Sequence, residues 1–238
     1  MICIRTMLPH NPDQQLEPSK FCDKIILADK PLDFTSADLV RLFKKQFSIK
    51  KIGHAGTLDP KATGLLILCT DSMTKRIDSF MDLEKEYSGI IKIGAVTKSF
   101  DTEKQEENIQ DISQVTDEEI ENVKQSFFGD TLQMPPMYSA LKHKGKPLYK
   151  FARAGQEIER QPRKITISKI EAHRISPAEI FFNIVCSKGS YMRVFASDFG
   201  TKLGVGGYLL KLRRIRIGDY TLNNLSQEVK NLKFEILN

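Results

Sequence analysis

Strand-like and helix-like stretches are interleaved in this chain without the strict βαβ alternation that a doubly wound parallel sheet requires, which points to an α+β fold. Residues 86–95 alternate, with Tyr87, Gly89, Ile91 and Ile93 on one face, the period of a half-buried strand. Ile165, Ile167 and Ile170 suggest another strand, residues 180–186 are β-rich, and residues 208–217 read as a closing strand. Leu39, Val40, Phe43 and Phe47 recur at helical spacing; Thr35-Ser36 opens that helix, Asp38 sits in its first turn, and Arg41, Lys44 and Lys45 fall on its other side. Thr116-Asp117-Glu118-Glu119 has the form of a capping box ahead of Ile120, Val123 and Phe127, with Gly129 placed to end the helix. Helices are also expected over 147–154, stopped by Gly155, and over 191–203, after a turn at 187–190. Residues 25–28 read as a short buried strand, and for residues 65–69 the period does not decide between helix and strand. Residues 1–22 carry three prolines and no clear period, and read as a mobile extension.

At 238 residues and 40% hydrophobic content the chain can bury a sizeable core. Its net charge of +6 permits a nucleic-acid partner without requiring one. Acidic residues crowd 101–121, and basic residues crowd 41–51, 142–169 and 211–216, either as opposed surfaces or as solvated faces. Cys3, Cys22, Cys69 and Cys186 show no C-x-x-C spacing, and His10, His54, His143 and His173 form no paired ligand pattern, so neither a metal site nor a disulfide framework is expected. The lack of a bilayer-length apolar run and of a signal-peptide core leads to the expectation of a reduced, cytoplasmic protein.

The stretch Gly53-His54-Ala55-Gly56-Thr57-Leu58-Asp59-Pro60-Lys61-Ala62-Thr63-Gly64-Leu65-Leu66 reads as a flexible polar loop that delivers one carboxylate onto a rigid element. Asp59-Pro60 is also an ordinary helix start, with aspartate as N-cap and proline at the first helical position.

That stretch resembles the signature of the TruB family of pseudouridine synthases. Asp29-Lys30-Pro31 with Thr35-Ser36 is similar to the family's first motif, and Lys85-Glu86-Tyr87 to its tyrosine motif. Further blocks resemble Pro135-Pro136-Met137-Tyr138-Ser139-Ala140-Leu141-Lys142, Gly145-Lys146-Pro147-Leu148-Tyr149, Cys186-Ser187-Lys188-Gly189-Ser190-Tyr191-Met192-Arg193 and Leu212-Arg213-Arg214 in family order, so the likeness spans residues 25–217.

The resemblance implies a mixed, mostly antiparallel sheet flanked by helices and loops. It implies isomerisation of uridine to pseudouridine, at uridine 55 of the tRNA T loop, without cofactor, metal or obligatory protein partner. Asp59 matches the catalytic aspartate and Arg193 the arginine that pairs with it. Tyr87 matches the tyrosine that stacks on the flipped base, Tyr191 and Leu212 match pocket walls, and Asp101 aligns with an aspartate near bound RNA. His54 matches the histidine that fills the gap left by the extruded base, and Lys30 would support the loop or contact phosphate. On residue type alone, Arg193 also reads as a surface arginine, Lys30 as a surface lysine, Tyr87, Tyr191 and Leu212 as core residues and His54 as a loop histidine.

Two departures stand out. Many relatives carry glycine where this chain has Leu32 or Asp33, so other residues must set that turn. Many also carry a C-terminal PUA domain; here the expectation is an extension over 1–23 and a catalytic domain over 24–238 that ends in a short tail. A guide-RNA-dependent relative of the dyskerin branch, a catalytically silent RNA-binding or tRNA-folding chaperone and a two-carboxylate glycoside hydrolase are the competing readings.

Overall fold

The computed structural model describes residues 18–139, 141–223 and 225–237. The expected mobility of residues 1–17, together with Cys3 and His10, lies outside the described residues, as does Ala140 of the 135–142 block.

Chain order begins with a 3-10 turn at Pro18–Phe21, then β1 (Ile25–Lys30), α1 (Ser36–Gln46), β2 (Ile52–Ala55), β3 (Ala62–Thr70), α2 (Ile77–Asp82) and β4 (Lys85–Ile93). A small hairpin of β5 (Val96–Thr97) and β6 (Glu106–Glu107) precedes α3 (Asp117–Gln125) and β7 (Gly129–Gln133). A second hairpin, β8 (Lys142–His143) and β9 (Lys146–Pro147), leads into α4 (Leu148–Arg153). The rest is β10 (Arg163–Ser176), β11 (Glu179–Cys186), α5 (Met192–Lys202), β12 (Gly207–Ile217), β13 (Tyr220–Thr221), β14 (Gln227–Val229) and β15 (Leu232–Leu237).

Eleven of these strands form one sheet in the order β14-β15-β1-β3-β12-β4-β11-β10-β7, with β13 beside β12 and β2 beside β3. Its pairings are antiparallel except β3 with β12, so the mixed, mostly antiparallel α+β expectation holds. β4 alternates as its period requires: Tyr87, Ile91 and Ile93 are buried against α3 and α5 with Phe182, Phe195 and Phe199. A second core cluster sets α1 against β1, β3 and the C-terminal hairpin, where Phe47 and Phe234 meet both Phe21 and Phe43. Both capping boxes form, at Thr35 with Asp38 and at Thr116 with Glu119.

Several expectations give way. Residues 65–69 are strand, the core of β3, and no helix follows Asp59-Pro60, which removes the N-cap reading of Asp59. β12 is a central strand between β3 and β4 rather than a closing one. Gly129 begins β7, and α3 ends earlier with Ser126 as its C-cap. Part of the expected extension is packed: Phe21 is buried and its ring stacks on Phe47 at 3.9 Å. The expected tail contains β14 and β15, and β15 pairs with β1 from Ile25↔Leu237 to Ala28↔Phe234.

Candidate active site

Residues 56–61 join β2 to the start of β3, whose partner on one side changes along its length. Ala62, Thr63 and Gly64 pair in parallel with Leu212, Arg213 and Arg214, whereas Ile67 to Thr70 pair with β2. Gly64 makes the first pairing possible: its φ is +102°, and a Cβ there would stand 2.2 Å from the Arg214 carbonyl oxygen.

The loop is pinned from below by its backbone. Ser36 Oγ accepts from the Leu58 amide at 3.0 Å and donates to the Leu58 carbonyl at 3.2 Å. The Asp33 amide donates to Pro60 O at 2.9 Å, and the Ala62 amide to Asp59 O at 3.0 Å. Asp33 has φ 63°, so an aspartate takes up the left-handed turn in the first motif. Its carboxylate accepts from Lys61 Nζ at 2.6 Å.

Lys30 is fully buried, and its Nζ donates to Phe34 O at 2.6 Å and Pro31 O at 2.9 Å and reaches Pro60 O at 3.5 Å. An ammonium so enclosed does not contact phosphate; of its two expected tasks, loop support is the one its position allows. Burial holds its pKa down at about 8. The unfolded chain, with its lysine near the ordinary 10.5, therefore binds more protons than the folded one between those values, and this group's contribution to stability rises with pH across that window. Lys30→Met is expected to remove a slope of about 1.4 kcal/mol per pH unit there, read by urea unfolding at three alkaline pH values. Lys85, also buried and held at about 8, adds a slope of the same sign, whereas the buried thiols of Cys69 and Cys186, pushed up to about 11, contribute the opposite sign above about pH 9, so the comparison with the parent at each pH carries the test. An unchanged slope in Lys30→Met would show that Lys30 is not the group responsible.

Opposite the loop stands the start of α5. Gln133 fixes it: Gln133 Oε1 accepts from the Tyr191 amide at 2.7 Å, and Gln133 Nε2 donates to Tyr191 O at 3.1 Å. Two residues on, Arg193 sends its guanidinium to Asp59, with Nε to Oδ2 at 2.7 Å and Nη2 to Oδ1 at 3.3 Å. Nη1 donates to Ser99 O at 3.2 Å and Nη2 to Tyr138 O at 2.7 Å. Asp101 Oδ2 lies 3.6 Å from Nε. The Arg193 side chain is 6% exposed and that of Asp59 39%; the cation is locked in place while the carboxylate stays open to a substrate. Such two-point, charge-assisted contacts fix the orientation of the carboxylate.

The other expected residues converge unevenly. Leu212 lines a small cavity with Asp59, Lys61, Asp101 and Arg193, and borders a neighbouring groove of about 520 Å³ that also touches Leu32, Thr63 and Arg213. Tyr87 lies on the buried face of β4 beside Arg214, and burial raises its pKa. Tyr191 is half-buried at the α5 N-cap, its pKa raised by burial. Asp101 is buried; its Oδ1 accepts from the Glu103 amide at 2.9 Å, and its Oδ2 faces Arg193 in the cavity it shares with Asp59. His54 sits on β2, opposite Leu68, and not in the loop. Burial, and secondarily the Arg214 charge, push its pKa below the ordinary 6.5, and its buried Nδ1 has no partner among the described residues.

The basic run at 211–216 is largely committed. Arg213 binds Asp29 at 3.0 and 2.8 Å, Arg216 binds Glu84 and Glu86, and Arg214 is buried. Lys211 is exposed. Among the described residues, Cys22, Asp23 and Asp71 bring ligand-type atoms within 4.8 Å of one another, and the Asp23 carboxylate already accepts from the Ser72 amide at 2.8 Å. Sequence reasoning missed Ser36 as a clamp and Arg214 as a buried group; Ser36 was visible within the first motif, whereas Arg214 sat in a run of charges.

Comparison with known proteins places this architecture. The chain superposes on one from a crystal structure described as a Cbf5–Nop10–Gar1 complex with TM-score 0.67 and 26% identity, covering 90% of this chain and 56% of that one, so it spans little more than half of that neighbour's length. A chain from an H/ACA RNP bound to a substrate RNA containing 2'-deoxyuridine shares the fold at TM-score 0.64 and 24% identity, covering 90% of this chain and 56% of that one. The fold is that of the pseudouridine synthases. Residues 44–192 match TruB family pseudouridylate synthase (N terminal domain). The chain is 46% identical over 206 residues to tRNA pseudouridine synthase B of Chlorobium chlorochromatii (strain CaD3), covering 84% of this chain and 81% of that protein. It is 42% identical over 220 residues to the protein of that name from Flavobacterium johnsoniae, covering 90% and 94%. The chain belongs to the TruB family.

Proposed function

We propose that this chain isomerises uridine to pseudouridine in tRNA, and that its target is uridine 55 of the T loop. The two-point contact between Arg193 and the half-open Asp59 carboxylate carries the reading. In the reaction the uracil N1–C1′ bond breaks, the base turns, and a C5–C1′ bond forms; the proton lost from C5 is balanced by one gained at N1. One ionised carboxylate suffices, either by attack on C1′ or by removal of a ribose proton. A stacked loop base must first be extruded. The Tyr87 ring then supplies the stacking face and Leu212 a wall, while His54, neutral at physiological pH, fills the vacated space. Curated relatives named as tRNA pseudouridine synthases at 42–46% identity support RNA as the partner. Among the described residues no helix is long and apolar enough to cross a membrane.

Incubating the protein with unmodified T-stem-loop RNA and mapping pseudouridine by position tests the reading. Modification at position 55 alone is the expected result; tight binding without any pseudouridine would instead match a silent RNA-binding protein.

Affinity should rest on phosphate contacts from the 41–51 and 142–169 segments. Several of these cations sit in exposed ion pairs, such as Lys164 with Asp130 and Lys169 with Glu171. Pairs of that kind hold their partners weakly and give way to phosphate at little cost. With roughly four to six phosphates engaged, affinity for a T-arm RNA should fall roughly 10²–10³-fold between about 50 and 200 mM salt. Titrations with the T arm and with full-length tRNA across that series check it; salt-insensitive binding, or failure of the isolated arm, counts against this interface.

A further inference from the structure

Arg214 is 1% exposed, and among the described residues no carboxylate lies within ion-pair distance of it. Its guanidinium sits where β3 passes from β12 to β2. On that side Leu65 and Leu66 fall between the two registers, which end at Gly64 and resume at Ile67. Nε donates to Leu65 O at 2.7 Å, and Nη2 donates to Gly56 O at 2.9 Å, at the head of the loop that carries Asp59. Arg214 is also the direct cross-strand partner of Tyr87 on β4, and its charge acts on the Tyr87 hydroxyl.

Two stray carbonyls alone do not call for a charge. A neutral amide side chain offers two donors, whereas burying a cation without a counter-ion costs several kcal/mol. Such a cost is tolerated where a site needs the group. The charge is felt across the site: it contributes to the lowered pKa values of Lys30, Lys85 and His54.

We propose that Arg214 is a positioning residue for the reaction, holding the Asp59 loop through Gly56 O, and the base-stacking Tyr87 through its hydroxyl, in one fixed relation across the β3 junction. This rests on the reading of Asp59 and Tyr87 given above. Lysine at 214 would keep the charge but could not satisfy these points at once, because the planar fork is lost. A displacement of the loop by about 1 Å would cost on the order of 10²-fold in rate.

The test uses the full chain carrying Arg214→Lys, with Arg214→Gln as the variant that keeps two donors and loses the charge. Single-turnover pseudouridine formation and RNA affinity are measured for each variant, alone and combined with Tyr87→Phe. Amide hydrogen exchange of residues 56–61 is measured in the absence of RNA. The expected outcome is a folded Arg214→Lys protein with roughly 10²-fold slower chemistry, RNA affinity within about threefold of the parent, and faster exchange confined to the loop. Adding Tyr87→Phe should then cost little more, because the two groups act as a unit. A full-rate Arg214→Lys enzyme overturns the proposal. So does a rate loss that simply multiplies with that of Tyr87→Phe, and so does unchanged loop exchange. If the parent protein makes no pseudouridine, the functional reading has failed separately, and the hydrogen-exchange comparison still decides whether Arg214 holds the loop.

Discussion

Asp59→Asn and Asp59→Ala are expected to abolish pseudouridine formation, by on the order of 10⁴-fold or more, with the fold and most RNA affinity intact. One carboxylate carries the chemistry, whereas many separate cations carry the affinity. The fold should tolerate the change because Arg193 keeps the carbonyls of Ser99 and Tyr138 and the nearby Asp101 carboxylate. The Asp59 backbone stays anchored through Leu58, Pro60 and Ala62. Single-turnover assays on T-arm RNA, beside circular dichroism and a binding titration, check all three parts. Measurable turnover near the parent rate by either variant removes Asp59 from the chemistry.

Arg193→Lys is expected to lower the rate by roughly 10²–10³-fold while RNA affinity changes little, the signature of an interaction needed in the chemical step. In the parent, one guanidinium meets both Asp59 oxygens, two backbone carbonyls and Asp101. An ammonium offers three donors from a single point on a shorter, more flexible stem and cannot reproduce that fan. Loss of the second contact lets the carboxylate rotate in a site where orientation is part of the rate. An Arg193→Lys protein whose rate is intact, or one that fails only in RNA binding, would place Arg193 outside the positioning of Asp59.

Much of this was legible in the chain because the strongest periods belong to the best-packed elements. Residues 86–95 alternate and form β4; the apolar positions of 191–203 form α5, with Phe195 and Phe199 in the core. β3 was ambiguous because it is buried on both faces, so no polar side chain marks its period. β2 was invisible because Gly53, His54 and Ala55 carry no alternation; it exists by pairing with β3. The C-terminal strands were missed for a related reason: Lys233, Glu235 and Glu228 make them look like solvated tail, and only β1 gives them a partner. Within the site, the family resemblance pointed to Asp59 and Arg193 although 134 positions separate them. The groups that hold the loop were harder to see, since Lys30 and Arg214 are charged residues that sequence patterns assign to the surface and tertiary packing puts inside.

The strand order also dictates when this protein becomes an enzyme during its synthesis. β1 and β3 leave the ribosome early and pair with each other, yet the strands that flank this pair in the finished sheet are β15 and β12, made much later. Arg214 meets Gly56 across 158 positions, and Arg213 meets Asp29 across 184. Contacts this distant in sequence form late and slowly. A nascent chain that has already displayed its aspartate loop therefore has neither the arginine that fixes the carboxylate nor the strand that braces the loop until α5 and β12 have emerged. Its chemistry is withheld until β12 has emerged, and a product cut short before β12 has no assembled site.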